Sequence, residues 1–185
     1  MDNSKKIFSA RRLTSSAVCL ALCMLLPFIT GQNPMLGSTL GLMHIPVLLC
    51  GFISGSVHAA VVGLVAPLMR SAIFGSPPLM PMAVSMSYEL AAYGLIAGAL
   101  YAALPKKTIS IYVSLIAAML MGRVVFGAAM AVVTGATSSL GVFLAGASAF
   151  TASAFVDAIP GIILHIILIP IIVIALKKAG VLRNC

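Results

Sequence analysis

The apolar residues of this chain fall in runs long enough to be measured against a lipid bilayer. Crossing about 30 Å of hydrocarbon at about 1.5 Å per residue takes about 20 mainly apolar residues. On that ruler the chain divides into six spans, at about residues 13–29, 40–54, 58–74, 82–103, 109–133 and 149–176. The breaks between them have turn chemistry. Gly31, Gln32, Asn33, Pro34 and Gly37 follow the first span, and Gly55-Ser56-Val57-His58 reads as a tight turn between the second and third. Gly75-Ser76-Pro77-Pro78 closes the third span, because proline lacks a backbone donor and disfavours helix in the residue before it. Leu104-Pro105-Lys106-Lys107 separates the fourth from the fifth. Residues 134–148 are small and mixed in polarity, as expected of an external loop that folds back over the protein. The last span carries Pro160 and Pro170, so a kink or tilt is expected. The fold class that follows is all-α, a single membrane domain of six transmembrane helices covering residues 1–185.

Basic residues test this count, since Lys and Arg are retained on the cytoplasmic side of short loops. Lys5, Lys6, Arg11 and Arg12 precede span one, Lys106 and Lys107 lie between spans four and five, and Lys177, Lys178 and Arg183 follow span six. All three clusters share a side only if the number of crossings is even. Both termini are then expected in the cytoplasm, with the loops around Asn33, Pro78 and Ser138 facing outward. The basic, then apolar, N-terminus resembles a signal peptide, but Thr30-Gly31-Gln32-Asn33-Pro34 offers no small-x-small cleavage site, so the segment is read as the first membrane helix.

Composition agrees with a lipid solvent: 62% of residues are hydrophobic and 8% charged, and the acids are Asp2, Glu89 and Asp157 alone. A soluble domain of this size would coat its surface with charge. The net charge of +8 is gathered in the basic clusters without an aromatic-basic platform, which argues against nucleic acid. Cys19, Cys23, Cys50 and Cys185 form no CxxC pair and have no histidine at ligand spacing, so no metal, cofactor or disulfide framework is expected and the thiols are assigned to packing.

A charge at mid-bilayer costs about 2.5–3.5 kcal/mol on insertion scales, so each one needs a partner or a task. Counted at about 1.5 Å per residue from the outer end of each span, Arg70 lies about 6 Å deep, Glu89 and Asp157 about 10–12 Å, and Arg123 about 16 Å. They belong to four different spans. His44 shares their outer half, while His165 is read as a packing histidine deeper on the inner side and His58 as a turn residue. Any one of these ions can simply fix helix register by pairing. Four in one layer favour a site for a small polar or anionic ligand, because Ser, Thr and Gly contacts secure packing at less expense. Arg70 and Arg123 suit a carboxylate; Glu89, Asp157 and Asn33 suit hydroxyl or amide donors. Trp is absent and aromatics make up 6%, a poor provision for stacking a large flat ring.

Small residues recur at a spacing of four: Ala17 with Ala21, Gly51 with Gly55, and Gly94 with Gly98. Each pair permits close helix approach, and Ala17 with Ala21, on the first helix, suits an outside partner helix. Catalytic signatures are missing. There is no Gly-x-Ser-x-Gly, no His-Glu-x-x-His and no phosphate-binding Gly-x-x-x-x-Gly-Lys, so an enzyme is not expected and the chain is not expected to use ATP itself. An intramembrane enzyme acting on lipid or isoprenoid, with Glu89 and Asp157 as acid and base, is one alternative; a stand-alone small-solute transporter is another.

Met43-His44-Ile45-Pro46-Val47-Leu48-Leu49, Gly75-Ser76-Pro77-Pro78-Leu79-Met80-Pro81 and Glu89-Leu90-Ala91-Ala92-Tyr93-Gly94 resemble the substrate-binding S components of energy-coupling factor (ECF) vitamin transporters. The six-span layout with cytoplasmic termini is similar too, as is the Ala-x-x-x-Ala of Ala17 and Ala21, which in that family faces the T component. The resemblance implies a plasma-membrane subunit that binds a vitamin outside and topples to release it inside. It implies as partners one membrane T component and two ATPases. The His-Ile-Pro-Val stretch is most similar to pantothenate-type members, in keeping with the compact acid that the arginines suit.

Overall fold

A computed structural model describes residues 9–30, 41–105, 107–135 and 159–180. Those residues form six helices and no strand. Helix α1 spans Ala10–Leu25 and tightens into a 3₁₀ turn over Leu26–Thr30. Helix α2 spans His44–Ser54, α3 Ser56–Phe74 and α4 Val84–Ala103, the last entered through a wide π turn at Leu79–Ala83. Helix α5 spans Thr108–Gly135 and α6 Ile159–Lys178, continuing through Pro170. Among the described residues, five helical segments are long and apolar enough to cross a bilayer: Ala10–Ile29, Ser56–Phe74, Leu79–Ala103, Thr108–Thr134 and Ile159–Lys178. The protein is an integral membrane helical bundle.

Helix α2 is the exception, and it organises the rest. Its 11 residues rise about 16 Å, roughly half the hydrocarbon thickness. The expected span from Leu40 is thus shortened: Gly41 takes a positive φ of 55°, and the helix starts three residues later at His44. Pro46 is tolerated because a first-turn N–H has no helical acceptor in any case. Every residue of α2 except Ile53 is buried, as expected of a helix apolar on all sides. It touches α1, α3, α4 and α6, while α4 packs between α3 and α5, and α5 meets α6.

At the other end of α2 the turn is shorter than the four residues expected. Gly55 alone, at φ 94°, joins α2 to α3, and His58 lies in the first turn of α3. Gly55 is therefore a turn glycine and makes no close helix approach, since a Cβ there would meet nothing within 4 Å. Gly51, Gly94 and Gly98 are genuine approach points. A Cβ on Gly94 would sit 2.6 Å from the backbone of Ala59, one on Gly98 2.6 Å from Ser56 Cα, and one on Gly51 3.1 Å from Gly94 O. Gly63 faces the Leu90 carbonyl just as tightly. Helices α3 and α4 thus touch backbone to backbone, a contact that needs no hydrophobic driving force and is available only to residues this small. Three buried thiols lie along α1 and α2. Cys23 Sγ donates to Met43 O at 3.6 Å and Cys50 Sγ to Ser16 Oγ at 3.7 Å, with Cys19 also buried. No metal-binding group of His, Cys, Asp or Glu exists among the described residues.

Candidate functional site

Basic residues mark one end of the bundle: Arg11 and Arg12 at the start of α1, Lys107 before α5, and Lys177 and Lys178 ending α6. Counted from that end at about 1.5 Å per residue, Arg70, Glu89, Arg123 and His165 all stand about 20–22 Å up their helices. His44 stands about 15 Å above the end of the shorter α2. Equal height does not make them one group, because each side chain leaves its helix in its own direction.

Glu89 is the centre of the cluster that forms. Its side chain is 1% exposed, and its Oε1 lies 3.2 Å from Arg123 Nη1 and accepts a 2.9 Å hydrogen bond from Tyr93 Oη, one turn along α4. Its Oε2 lies 3.7 Å from His44 Nε2. Helices α2, α4 and α5 thus each send a polar side chain to one carboxylate. A buried carboxylate is tolerated only where charge and hydrogen bonds compensate its lost hydration, and here an arginine and a phenol do so. Gly122 stands against the Tyr93 ring, where any Cβ would collide with it; that glycine lets α5 come close enough for Arg123 to reach Glu89.

Helix α6 joins through His165. The sequence reading put this residue deeper on the inner side as packing, but its ring centroid lies 6.0 Å from that of His44, and its Nε2 is 3.1 Å from Gly41 O. The same carbonyl receives His44 Nδ1 at 3.2 Å and the His44 backbone N–H at 2.9 Å. The His44 ring also tilts against Tyr93, with centroids 5.3 Å apart. Gly41, three residues before α2, is therefore pinned from two helices. Two buried nitrogens are left over: His44 Nε2 and Arg123 Nε have no hydrogen-bond partner among the described residues.

Arg70 shares the layer but is turned elsewhere. Its Nη1 donates to Met24 O at 3.0 Å, and its guanidinium lies 5.6 Å from the Phe28 ring centroid and 5.4 Å from that of Phe74, two rings that themselves meet edge to face at 5.1 Å. Pro27 has no N–H to offer the carbonyls one turn before it, and Arg70 supplies a donor to one of them. It clasps the end of α1 to the end of α3, and among the described residues the ion pairs of Glu89 are with Arg123 and His44, not Arg70. Arg70 and Arg123, which the sequence pairs around a ligand carboxylate, are directed to different partners among the described residues, Met24 O and Glu89. Asn33 and Asp157 lie outside the described residues. Ala17 and Ala21 are exposed on α1, on a side shared with exposed Leu13, Val18, Leu22 and Leu25.

Of the candidate ligand residues, the structure therefore brings together His44, Glu89 and Arg123, leaves Arg70 apart, and adds Tyr93 and His165. Tyr93 carried a usable signal, since a position four residues after a buried glutamate shares its helix face. His165 carried none beyond being polar in an apolar helix.

Comparison with curated proteins and with solved structures gives no match. Comparison with protein families does: the ECF transporter substrate-specific component matches residues 11–173, nearly the whole chain and all six helices apart from the edges of the first and last. The protein belongs to that family, the substrate-specific components of ECF transporters, which are multi-pass proteins of the plasma membrane.

Proposed function

We propose that the chain captures a compact acidic nutrient, a pantothenate-like acid in the first instance, from the outer face of the membrane. Delivery inward then follows together with one T component and two ATPases. The observation that carries the reading is the Glu89 cluster. Three helices converge on one buried carboxylate, yet Arg123 Nε and His44 Nε2 have no hydrogen-bond partner among the described residues. A site built only to fix helix register would satisfy those nitrogens, because an unmet buried polar group costs about 1–3 kcal/mol. A ligand completes them: its carboxylate accepts from Arg123, and its hydroxyl or amide groups reach Glu89 and His44. Asn33 and Asp157 are proposed to join from the segments flanking α2 and α6. The basic end is proposed to face the cytoplasm, which sets the cluster in the outer half. Ala17 and Ala21 are proposed to seat the T component.

The test is a thermal-shift panel of water-soluble vitamins on the purified protein. A ligand that binds only the folded state raises the melting point through RT ln(1 + [L]/Kd), or about 2.7 kcal/mol at 100 times Kd. An acidic vitamin is expected to stand clear of the panel and to lose its shift in Arg123→Ala. A shift of the same size in Arg123→Ala removes Arg123 from the site, and a panel without any shift rejects the nutrient class.

A further inference from the structure

The Gly41 carbonyl determines which nitrogen of each histidine carries a proton. An amide oxygen can only accept, so a hydrogen bond to it from His44 Nδ1 at 3.2 Å or from His165 Nε2 at 3.1 Å places the ring proton on that nitrogen. In the neutral ring the other nitrogen of His44, Nε2, is then a lone pair. That nitrogen lies 3.7 Å from Glu89 Oε2, too far for a hydrogen bond and an unfavourable meeting of two acceptors. The opposite tautomer is worse, because it would set a lone pair against Gly41 O at the shorter distance. An imidazolium would satisfy both contacts, but it would bring a second buried cation to the carboxylate that Arg123 already meets at 3.2 Å.

The geometry points to a donor-reading subsite, in which His44 Nε2 and Glu89 Oε2 together require an N–H or O–H group from the ligand. Several observations converge on it. His44 is 7% exposed at its side chain and Glu89 1%, and Nε2 is without a partner among the described residues. Arg123 Nε, without a partner among the described residues, asks the opposite of the ligand, an acceptor. The substrate class is therefore an acid that also carries a hydroxyl, amide or amine donor close to its acidic end, and a plain alkyl acid is rejected. His165 does not touch the ligand in this account. It is a positioning residue, holding Gly41 so that the His44 proton stays on Nδ1. The glycine is required there, since its φ is +55° and a Cβ would lie 3.1 Å from His44 Nδ1 and 3.2 Å from His165 Cε1. The inference deepens the nutrient-capture reading and rests on it for the ligand, but the ring chemistry is testable without any ligand.

The experiment is ¹⁵N NMR of histidine-labelled full-length protein in nanodiscs at neutral pH, the His44 signal being assigned by its loss in His44→Gln. The expected result is a neutral ring with Nδ1 protonated and Nε2 bare. An imidazolium, or a proton on Nε2, overturns the proposal. His165→Phe is expected to mix the two tautomers of His44, and His165→Gln, whose amide N–H can still reach Gly41 O, to restore the single form; an unaltered His44 spectrum in His165→Phe overturns the positioning role. The ligand arm compares pantothenate with pentanoate by thermal shift, where equal shifts overturn the donor requirement. If neither acid shifts the melting point, the nutrient assignment fails while the ring spectra still decide the subsite.

Discussion

Arg70 is the residue for which sequence and structure assign different work, and Arg70→Met separates the two. The substitution keeps an unbranched apolar stem between Phe28 and Phe74 and deletes the guanidinium. What is lost is the 3.0 Å bond to Met24 O and the placement of a cation over two rings at 5.4 and 5.6 Å. A desolvated cation–π contact contributes about 2 kcal/mol. A hydrogen bond from a charged donor contributes about 1.5–3 kcal/mol in proteins generally, although side-chain bonds measured in a bilayer average nearer 0.6 kcal/mol. Taking the bilayer value with one effective ring contact gives an expected loss of about 2–3 kcal/mol in stability. The assay is unfolding in mixed detergent micelles, followed by calorimetric titration with whichever acid stabilises the native protein. Stability should fall by that amount while the dissociation constant stays the same, because Arg70 has no ion pair with Glu89. Normal stability with abolished binding would return Arg70 to the ligand site and refute the clasp.

Three further outcomes follow from named contacts. Gly94→Ala puts a Cβ 2.6 Å from the Ala59 backbone, which no rotamer change can relieve, so α3 and α4 must part by about 1 Å and stability should drop by about 1–3 kcal/mol; unaltered unfolding would mean that the two backbones do not touch. Glu89→Gln leaves Arg123 without its anion, and breaking a buried pair from one side costs about 3–5 kcal/mol, so both stability and ligand affinity should fall, the latter by about tenfold or more. A variant as stable and as tight-binding as the native protein would dismiss Glu89 as the organising charge. Ala17→Trp, on the exposed side of α1, should leave ligand binding untouched and prevent co-purification with a T component; a normal complex would show that the docking face lies elsewhere.

Depth was legible in the sequence for Glu89 and Arg123 but not for His165, and direction was not legible. Rise per residue is fixed in a helix, so counting along each apolar run was enough to put Glu89 and Arg123 in one layer. Which way Arg70 points depends on how its helix is rotated against α1, and that rotation is set by contacts such as Gly63 on Leu90 and Gly94 on Ala59, which lie far apart in sequence. His165 shows the same limit from the other side. An isolated histidine in an apolar helix reads as packing until the fold brings Gly41, 124 residues earlier, to its ring. Helix α2 was legible as short but not as half-length, because Gly41 looks like any loop glycine until its positive φ fixes where the helix can begin. The family resemblance was legible because its motifs, around His44, Pro77 and Glu89, fall within the matched stretch, residues 11–173.

Division of labour is the central claim, and uptake into liposomes tests it most directly. Vesicles carrying the purified chain alone, loaded outside with the radiolabelled acid that stabilises it, are expected to bind ligand and accumulate none inside. Adding a T component and two ATPases, with ATP on the cytoplasmic side, is expected to produce accumulation that stops when ATP is withdrawn. Accumulation by the chain alone, or conversion of the acid to a new compound, would contradict the account.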